Sequence, residues 1–409
     1  MNTFLNEKSN GKKMVDKVFK AAVAANIAKE KYGDDVVNAT LGTLFDEKGN
    51  FIALESVWGP YETISNFQKA KYASSIQGNP GFIDAVYNWL FGGFKEKIEC
   101  EIIATPGGAG AISSTFKNVL SPGQTVLKPS QGWGPYKTMA VECGLTLTDY
   151  NMFKDDEFDL ADFKKSVNDV MDIQGKVVVL INDPCHNPTG YSLRPDEWDD
   201  IIDILNVSSK KGPVVLINDI AYIDYSVKGD SWKNHFLKYN RFEKNVMTVI
   251  AFSCSKTLTA YGTRVGAQVV ISKDKKQLEA FKDAAIYSAR SIWSTVNNSA
   301  MELFSLIAHD KYLLLKYKNE KQKYVDLLKE RADIIISESN DVGLELYPFV
   351  EGFFVTIKVQ DESEKVALNL RLQKANIFTV EVDGGLRVAI CSVPKRKLKG
   401  LAKKIVELM

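Results

Sequence analysis

Lys256 sits in the turn SCSKTLTAYGTR, with Ser253 and Ser255 just before it and Arg264 eight residues after it. An amine, two hydroxyls and a guanidinium thus follow directly on the apolar run VMTVIAF, residues 246–252. At the end of a buried strand such an amine can attack a carbonyl, and the hydroxyls and guanidinium fork can hold a phosphate. Two other apolar runs end on groups of matching use. VVLIND, residues 214–219, ends on Asp219, a carboxylate able to hold a protonated ring nitrogen, and the Tyr222 hydroxyl follows three residues on. KVVVLIN, residues 176–182, leads into DPCHNPTG, where the Asn187 amide can donate to an oxygen. ATPGGAGAISSTF, residues 104–116, is a Gly-rich turn running into a helical pattern. Its backbone N–H groups, at Gly108 and Ala109 among others, and the helix dipole favour an anion. Trp133, in PSQGWGPY, can stack on a ring. A Schiff-base lysine, a ring-nitrogen partner, donors to a phenolic oxygen and a phosphate cradle are what the aldehyde cofactor pyridoxal 5′-phosphate requires.

The elements that must position these groups are legible as well. The runs 176–182, 214–219, 246–252 and GAQVVIS, residues 266–272, are continuous in Val and Ile and read as buried strands. RPDEWDDIIDILNVSSKKG, between the first two, reads as a helix ended by Gly212 and Pro213. Such runs separated by helices predict a mostly parallel sheet covered on both faces, which binds ligands at the carboxyl ends of its strands. Asn187, Asp219 and Lys256 all fall at those ends. The last quarter of the chain reads differently. A charged helical segment runs through about Lys329, followed by strands in GFFVTIKV and GLRVAICS and by a final amphipathic helix, KRKLKGLAKKIVELM. This predicts an α/β chain with a large domain over residues 51–300 and a smaller α+β domain formed by residues 1–50 and 301–409.

Composition removes several alternatives. The chain has 409 residues, 45% hydrophobic and 25% charged, with a formal net charge of +1. That balance gives no global field for nucleic acid or an anionic membrane. No apolar run is long enough to span a bilayer, and the first twenty residues lack the pattern of a signal peptide. Five scattered cysteines fit a reducing cytoplasm better than a disulfide framework. Three histidines and the lack of HExxH or CxxC spacing predict no metal site.

HNPTG (186–190), DIAY (219–222) and SCSKTLTAYGTRVG (253–266) resemble the motifs of the class I aminotransferases, in their aspartate and aromatic branch. The resemblance extends over nearly the whole chain and implies the fold-type I architecture of pyridoxal-phosphate enzymes, as a homodimer with shared active sites. It implies that Lys256 carries the cofactor and that Ser253, Ser255 and Arg264 surround its phosphate. It further implies that Arg387, in GGLRVAI, clamps the substrate α-carboxylate, helped by the backbone at Gly42. Phe354, in GFFV, then lies near the substrate, and Tyr72, in KYASSIQGNPGF, reaches the partner subunit's phosphate. ARSIWS, residues 289–294, is similar to the segment whose arginine, here Arg290, enters the neighbouring site to bind a distal carboxylate. The chain departs from the branch at TVNN, which replaces a double proline, and at Gly107 and Ala109, which replace hydroxyl residues of the phosphate loop. Tyr136 also stands where those enzymes carry a histidine behind the ring aspartate. The implied reaction is amino-group transfer between an L-amino acid, aspartate, glutamate or aromatic, and a 2-oxo acid, by ping-pong kinetics. The same pocket could serve a β-lyase or a decarboxylase, or a non-catalytic sensor.

Overall fold

The computed structural model describes residues 4–14, 16–94 and 98–409. Its central sheet has seven strands: β1 (Cys100–Thr105), β2 (Thr125–Pro129), β3 (Thr146–Tyr150), β4 (Val177–Asn182), β5 (Val214–Asp219), β6 (Val246–Ser253) and β7 (Gly266–Ser272). Their order is β1-β7-β6-β5-β4-β2-β3. Neighbours from β6 to β3 are parallel, while β7 is antiparallel to both β6 and β1. The mostly parallel sheet is therefore present, with one reversed strand. No crossover helix joins β6 to β7, only the Lys256 turn, so the chain returns beside the strand it has just left.

The Val/Ile runs are continuous because both faces of the sheet are covered. Val178, Leu180, Val215, Ile217, Val249 and Ala251 face one apolar core, with Phe116 of helix Gly107–Val119 and Phe281 of helix Lys275–Ile292. Val177, Val179, Ile181, Leu216, Ile250 and Phe252 face another, with Phe163 of helix Leu160–Gln174 and Trp198 of helix Pro195–Ser208.

A separate core sits on an antiparallel sheet of β8 (Phe354–Lys358), β9 (Val380–Val382) and β10 (Gly385–Ala389), ordered β8-β10-β9. Near the N-terminus, Val37–Asn38 pairs in parallel with Ile377–Phe378. The charged helical segment is longer than its charges suggest and runs from Lys311 to Val342, closing on Gly343 in the left-handed conformation. Tyr317, Val325 and Leu328 pack into the large core, whereas Ala332 and Ile335 pack into the small one. At the changeover Arg331 is fully buried and donates to the carbonyls of Phe45 (2.9 Å) and Cys391 (2.9 Å) and to Glu47 (2.8 Å).

Candidate active site

Strand register brings the chemistry-bearing residues to one end of the sheet. Asn182 pairs with Asp219, and Asp219 with Ala251. Thr105, Gly266 and Ser253 form one row across β1, β7 and β6. Helix Gly107–Val119 thus starts beside Ser253. Pro106 precedes it without a side-chain cap, so the N–H groups of its first turn stay open, those of Gly108 and Ala109 included. Gly107 has φ of +74°, and a Cβ there would lie 2.9 Å from Arg264 Nη2. A Cβ at Gly266 would meet Phe252 O at 2.3 Å. Arg264 Nη1 donates to Ser255 Oγ (3.1 Å) and Tyr261 O (2.9 Å), and Ser255 N donates to Ser253 Oγ (3.3 Å). Open amides, two hydroxyls and a guanidinium in one place form a cradle for a doubly charged anion.

Lys256 lies in the short helix Cys254–Thr257, next to this cradle. Its Nζ donates to Gly42 O (3.1 Å) and stands 4.5 Å from the Tyr261 ring centre and 5.6 Å from that of Tyr222. Burial above all pulls the amine's pKa down to about 8; Arg387 and Arg264 act in the same direction, and Cys391 and Asp219 oppose them. A large fraction of neutral amine near pH 8 suits a nucleophile and proton carrier.

Asp219 accepts from Tyr136 Oη (2.8 Å) and from Ala221 N (3.1 Å). Burial pushes its carboxyl up to about 6, against those two donors and Lys256. Burial, then the charge of Asp219, drives the Tyr136 hydroxyl well above its ordinary value, so this residue is a neutral donor. Asn182 Nδ2 donates to Asp219 O (2.7 Å), and its Oδ1 accepts from Asn187 N (2.8 Å), fixing the two site residues relative to each other. Trp133 is half-buried and meets Tyr136 edge-to-face with ring centres 5.4 Å apart.

Arg387, on β10, comes from the smaller sheet and is buried. It donates to Asn187 Oδ1 (3.1 Å) and Thr40 O (2.8 Å), and its guanidinium lies 4.3 Å from the Phe354 ring centre. Among the described residues it has no carboxylate partner, and its Nε is buried without an acceptor. Burial holds its pKa below the usual arginine value. A buried cation with a spare donor is a receptor for a carboxylate. A Cβ at Gly42 would come within 3.0 Å of Phe354 Cζ, so glycine lets this backbone approach.

Lys256, Asp219, Tyr222, Asn187, Ser253, Ser255, Arg264, Gly42, Phe354 and Arg387 are thus joined by contacts into one cluster, with Gly108, Ala109 and Trp133 at its border. Tyr72 and Arg290 stand outside it. Tyr72 is 85% exposed, and Arg290 is exposed with Nη1 donating to Ser294 Oγ (2.6 Å). Sequence reasoning missed Thr40, Asn182, Tyr261 and the Asp224 carboxylate, which binds Thr257 Oγ1 (2.7 Å) and Trp89 Nε1 (3.1 Å) and so fixes the lysine helix. Tyr261 lies inside the Lys256 turn and Asn182 ends β4, so position gave both a signal.

The donor set fits pyridoxal phosphate on two observations. The uncapped helix start, kept open by Gly107, faces Arg264, and buried Asp219 has only neutral donors within hydrogen-bond distance. Among the described residues no group of three or more His, Cys, Asp or Glu could hold a metal ion, and no helix is long and apolar enough to cross a membrane.

Comparison with known proteins gives the family and the fold. A family model described as aminotransferase class I and II matches residues 35–405. The crystal structure of an aminotransferase from Anaerococcus prevotii superposes with a TM-score of 0.95 at 33% identity, covering 99% of both chains. The aspartate aminotransferase of Pseudomonas aeruginosa is 21% identical over 383 residues, 91% of this chain and 92% of that protein. The aromatic-amino-acid aminotransferase of the same organism is 26% identical over 213 residues, about half the length of each.

Proposed function

This chain belongs to the class I and II aminotransferases, which depend on pyridoxal phosphate, and from that premise we propose that it moves an amino group between an L-amino acid, dicarboxylic or aromatic, and a 2-oxo acid. The observation that carries the reading is one cluster holding a buried amine, a buried carboxylate, an anion cradle and a carboxylate-free buried arginine.

The residue roles follow from their chemistry. When bound, pyridoxal phosphate supplies an electron sink for charge developing at the substrate α-carbon and stores the amino group between half-reactions. Gly108, Ala109, Ser253, Ser255 and Arg264 would hold its phosphate, with Tyr72 of a second copy adding a hydroxyl. Asp219 holds a proton on the ring nitrogen, and Tyr136 and Ala221 N keep its carboxylate aimed. Tyr222 and Asn187 would donate to the phenolic oxygen, and Trp133 would offer an aromatic face to the ring. Arg387 binds the substrate α-carboxylate, flanked by Phe354 and the Gly42 backbone. Lys256 Nζ, neutral in part near pH 8, takes the proton from the substrate α-carbon. Arg290 of the second copy reads the distal carboxylate. The segments that carry Tyr72 and Arg290 also expose Phe67, Tyr287 and Ile292, an apolar set that supports pairing of two copies.

Borohydride reduction and peptide mapping should place the pyridoxyl group on Lys256, and Lys256→Ala should abolish transamination. Labelling of another lysine, or release of ammonia or pyruvate in place of transfer, would overturn the reading.

A further inference from the structure

Glu351 is 2% exposed and takes no part in the chemistry above. Its carboxylate accepts from Ser192 Oγ (2.8 Å), from Ser226 Oγ (2.9 Å to each oxygen) and from Val227 N (2.6 Å). Among the described residues it has no cation partner within ion-pair distance. Asp183 and Cys185 lie close enough to feel its charge, which adds to the upward push that burial gives both.

Its three donors come from two loops that carry site residues. Ser192 closes the loop of Asn187, and Ser226 and Val227 close the turn of Tyr222. Glu351 itself opens the segment that leads into Phe354 on β8. The backbone reinforces this meeting. Val350 N and Glu351 N both donate to Gly190 O (2.8 and 2.9 Å), and Thr356 Oγ1 donates to Pro188 O (2.7 Å). Tyr222 then packs on Phe353 and Phe354 with ring centres 5.1 and 5.7 Å apart.

The chemistry calls for a carboxylate. Ser192 Oγ already accepts from Cys185 N (2.9 Å) and Ser226 Oγ from Lys228 N (3.2 Å). Both hydroxyl protons are therefore free to point at Glu351, and an acceptor-only group satisfies them and Val227 N together. A glutamine would bring two N–H donors against this set.

We propose that Glu351 is a positioning residue for substrate binding: by gathering the Asn187 loop, the Tyr222 turn and the Phe354 strand, it sets Arg387 to receive the α-carboxylate. Arg387 depends on two of these segments, since Asn187 Oδ1 accepts from it and Phe354 flanks it. Lys256 itself donates to Gly42 O, outside these three segments, and its helix meets the Tyr222 turn through Thr257 and Asp224.

The inference rests on the proposed role of Arg387, and its test separates the two. In the holoenzyme, Glu351→Gln should raise KM for every amino acid about tenfold and leave kcat within about twofold, the signature of lost uniform binding. In cofactor-free protein, amide exchange followed by mass spectrometry should rise together in residues 185–192 and 222–227. Ser226→Ala, which keeps the carboxylate, should reproduce a smaller KM rise with exchange confined to the Tyr222 turn, and it carries the test if the Gln variant fails to fold. Unchanged KM with only a lowered melting temperature, or exchange confined to residues 349–354, would overturn the proposal. Coupled exchange without a KM change would likewise overturn the positioning role, whereas an unchanged KM in Arg387→Ala would instead remove Arg387 from substrate binding.

Discussion

Asp219 shows how a single residue can set function against stability. Its carboxyl is buried among neutral donors, and burial pushes its pKa from 3.8 up to about 6. Between pH 4 and 6 the folded cofactor-free protein keeps a proton that the unfolded chain has released. Its stability from this group therefore falls as pH rises, and above pH 6 the cost is fully present, about 3 kcal/mol from the size of the displacement. In the proposed holoenzyme a protonated ring nitrogen would face this charge and reverse the sign. Asp219→Asn removes the titration while keeping the shape, and Tyr136 Oη can turn to serve the amide. The cofactor-free Asn variant should accordingly be more stable than wild type at pH 7, and the gap should open between pH 4 and 6. Urea melts of both proteins across that range measure it directly. Asp183 and His186, which are also displaced by burial, cancel in the difference. A gap that stays flat with pH would mean that the Asp219 carboxyl is not held up by burial. The same variant should lose most of its turnover when loaded with cofactor.

At the scale of elements, much of the site was legible because it sits where strands end. The runs at 214–219 and 266–272 were read with the bounds observed, since both faces of each strand are buried and composition alone marks them. The direction of β7 was not legible, because an apolar run has no polarity and only the missing crossover helix reverses it. Arg331 and Glu351 were not legible for a different reason. Arg331 lies in a charged helix that reads as solvated, and its carbonyl partners are 286 and 60 residues away in sequence. Glu351 likewise finds its hydroxyl partners 125 and 159 residues away. Contacts of that kind exist only once the sheets are assembled. Helix Gly107–Val119 gives the sharpest test of an element's role. Its first residue needs positive φ, and its open N–H groups face Arg264. Gly107→Ala strains the backbone and drives a methyl to 2.9 Å from the guanidinium, so the cradle must widen. Affinity for pyridoxal phosphate should fall about tenfold or more, whereas affinity for pyridoxal, which lacks the phosphate, should barely change. Equal losses for both ligands, by equilibrium dialysis of the cofactor-free protein, would place the damage outside a phosphate cradle.

Seen as a whole, helix Lys311–Val342 bridges a core of the large sheet and the core of the small one, and the proposed reacting cluster takes Lys256 and Asp219 from strand ends of the large sheet and Arg387 from the small sheet. Two further residues of the proposed site, Tyr72 and Arg290, face outward on the single chain. If they complete a partner's site, function belongs to the pair. Arg290 offers the better test because its proposed ligand is part of the substrate. A guanidinium gives a distal carboxylate two parallel hydrogen bonds, and removing one member of such a desolvated pair costs about 2–5 kcal/mol, roughly thirtyfold to a few thousandfold. Arg290→Ala should lose that much kcat/KM with aspartate and glutamate, and little with phenylalanine or alanine, which present no second carboxylate. Arg387→Ala should harm all four, because each carries an α-carboxylate. Mixing then decides which chain supplies the arginine. A Lys256→Ala subunit has no amine, and an Arg290→Ala subunit has no arginine to give. In a hybrid dimer, the site with an intact Lys256 would receive Arg290 from its partner. Refolding the two variants together at equal amounts should restore about a quarter of the wild-type sites for aspartate, since half the dimers are hybrid and each has one complete site. Were Arg290 to serve its own chain, no hybrid site would be complete and aspartate activity would stay at the level of the Arg290 variant alone. Equal losses for dicarboxylic and apolar substrates in that variant would assign the guanidinium to its contact with Ser294, 2.6 Å away, and turn the substrate reading towards neutral and aromatic amino acids.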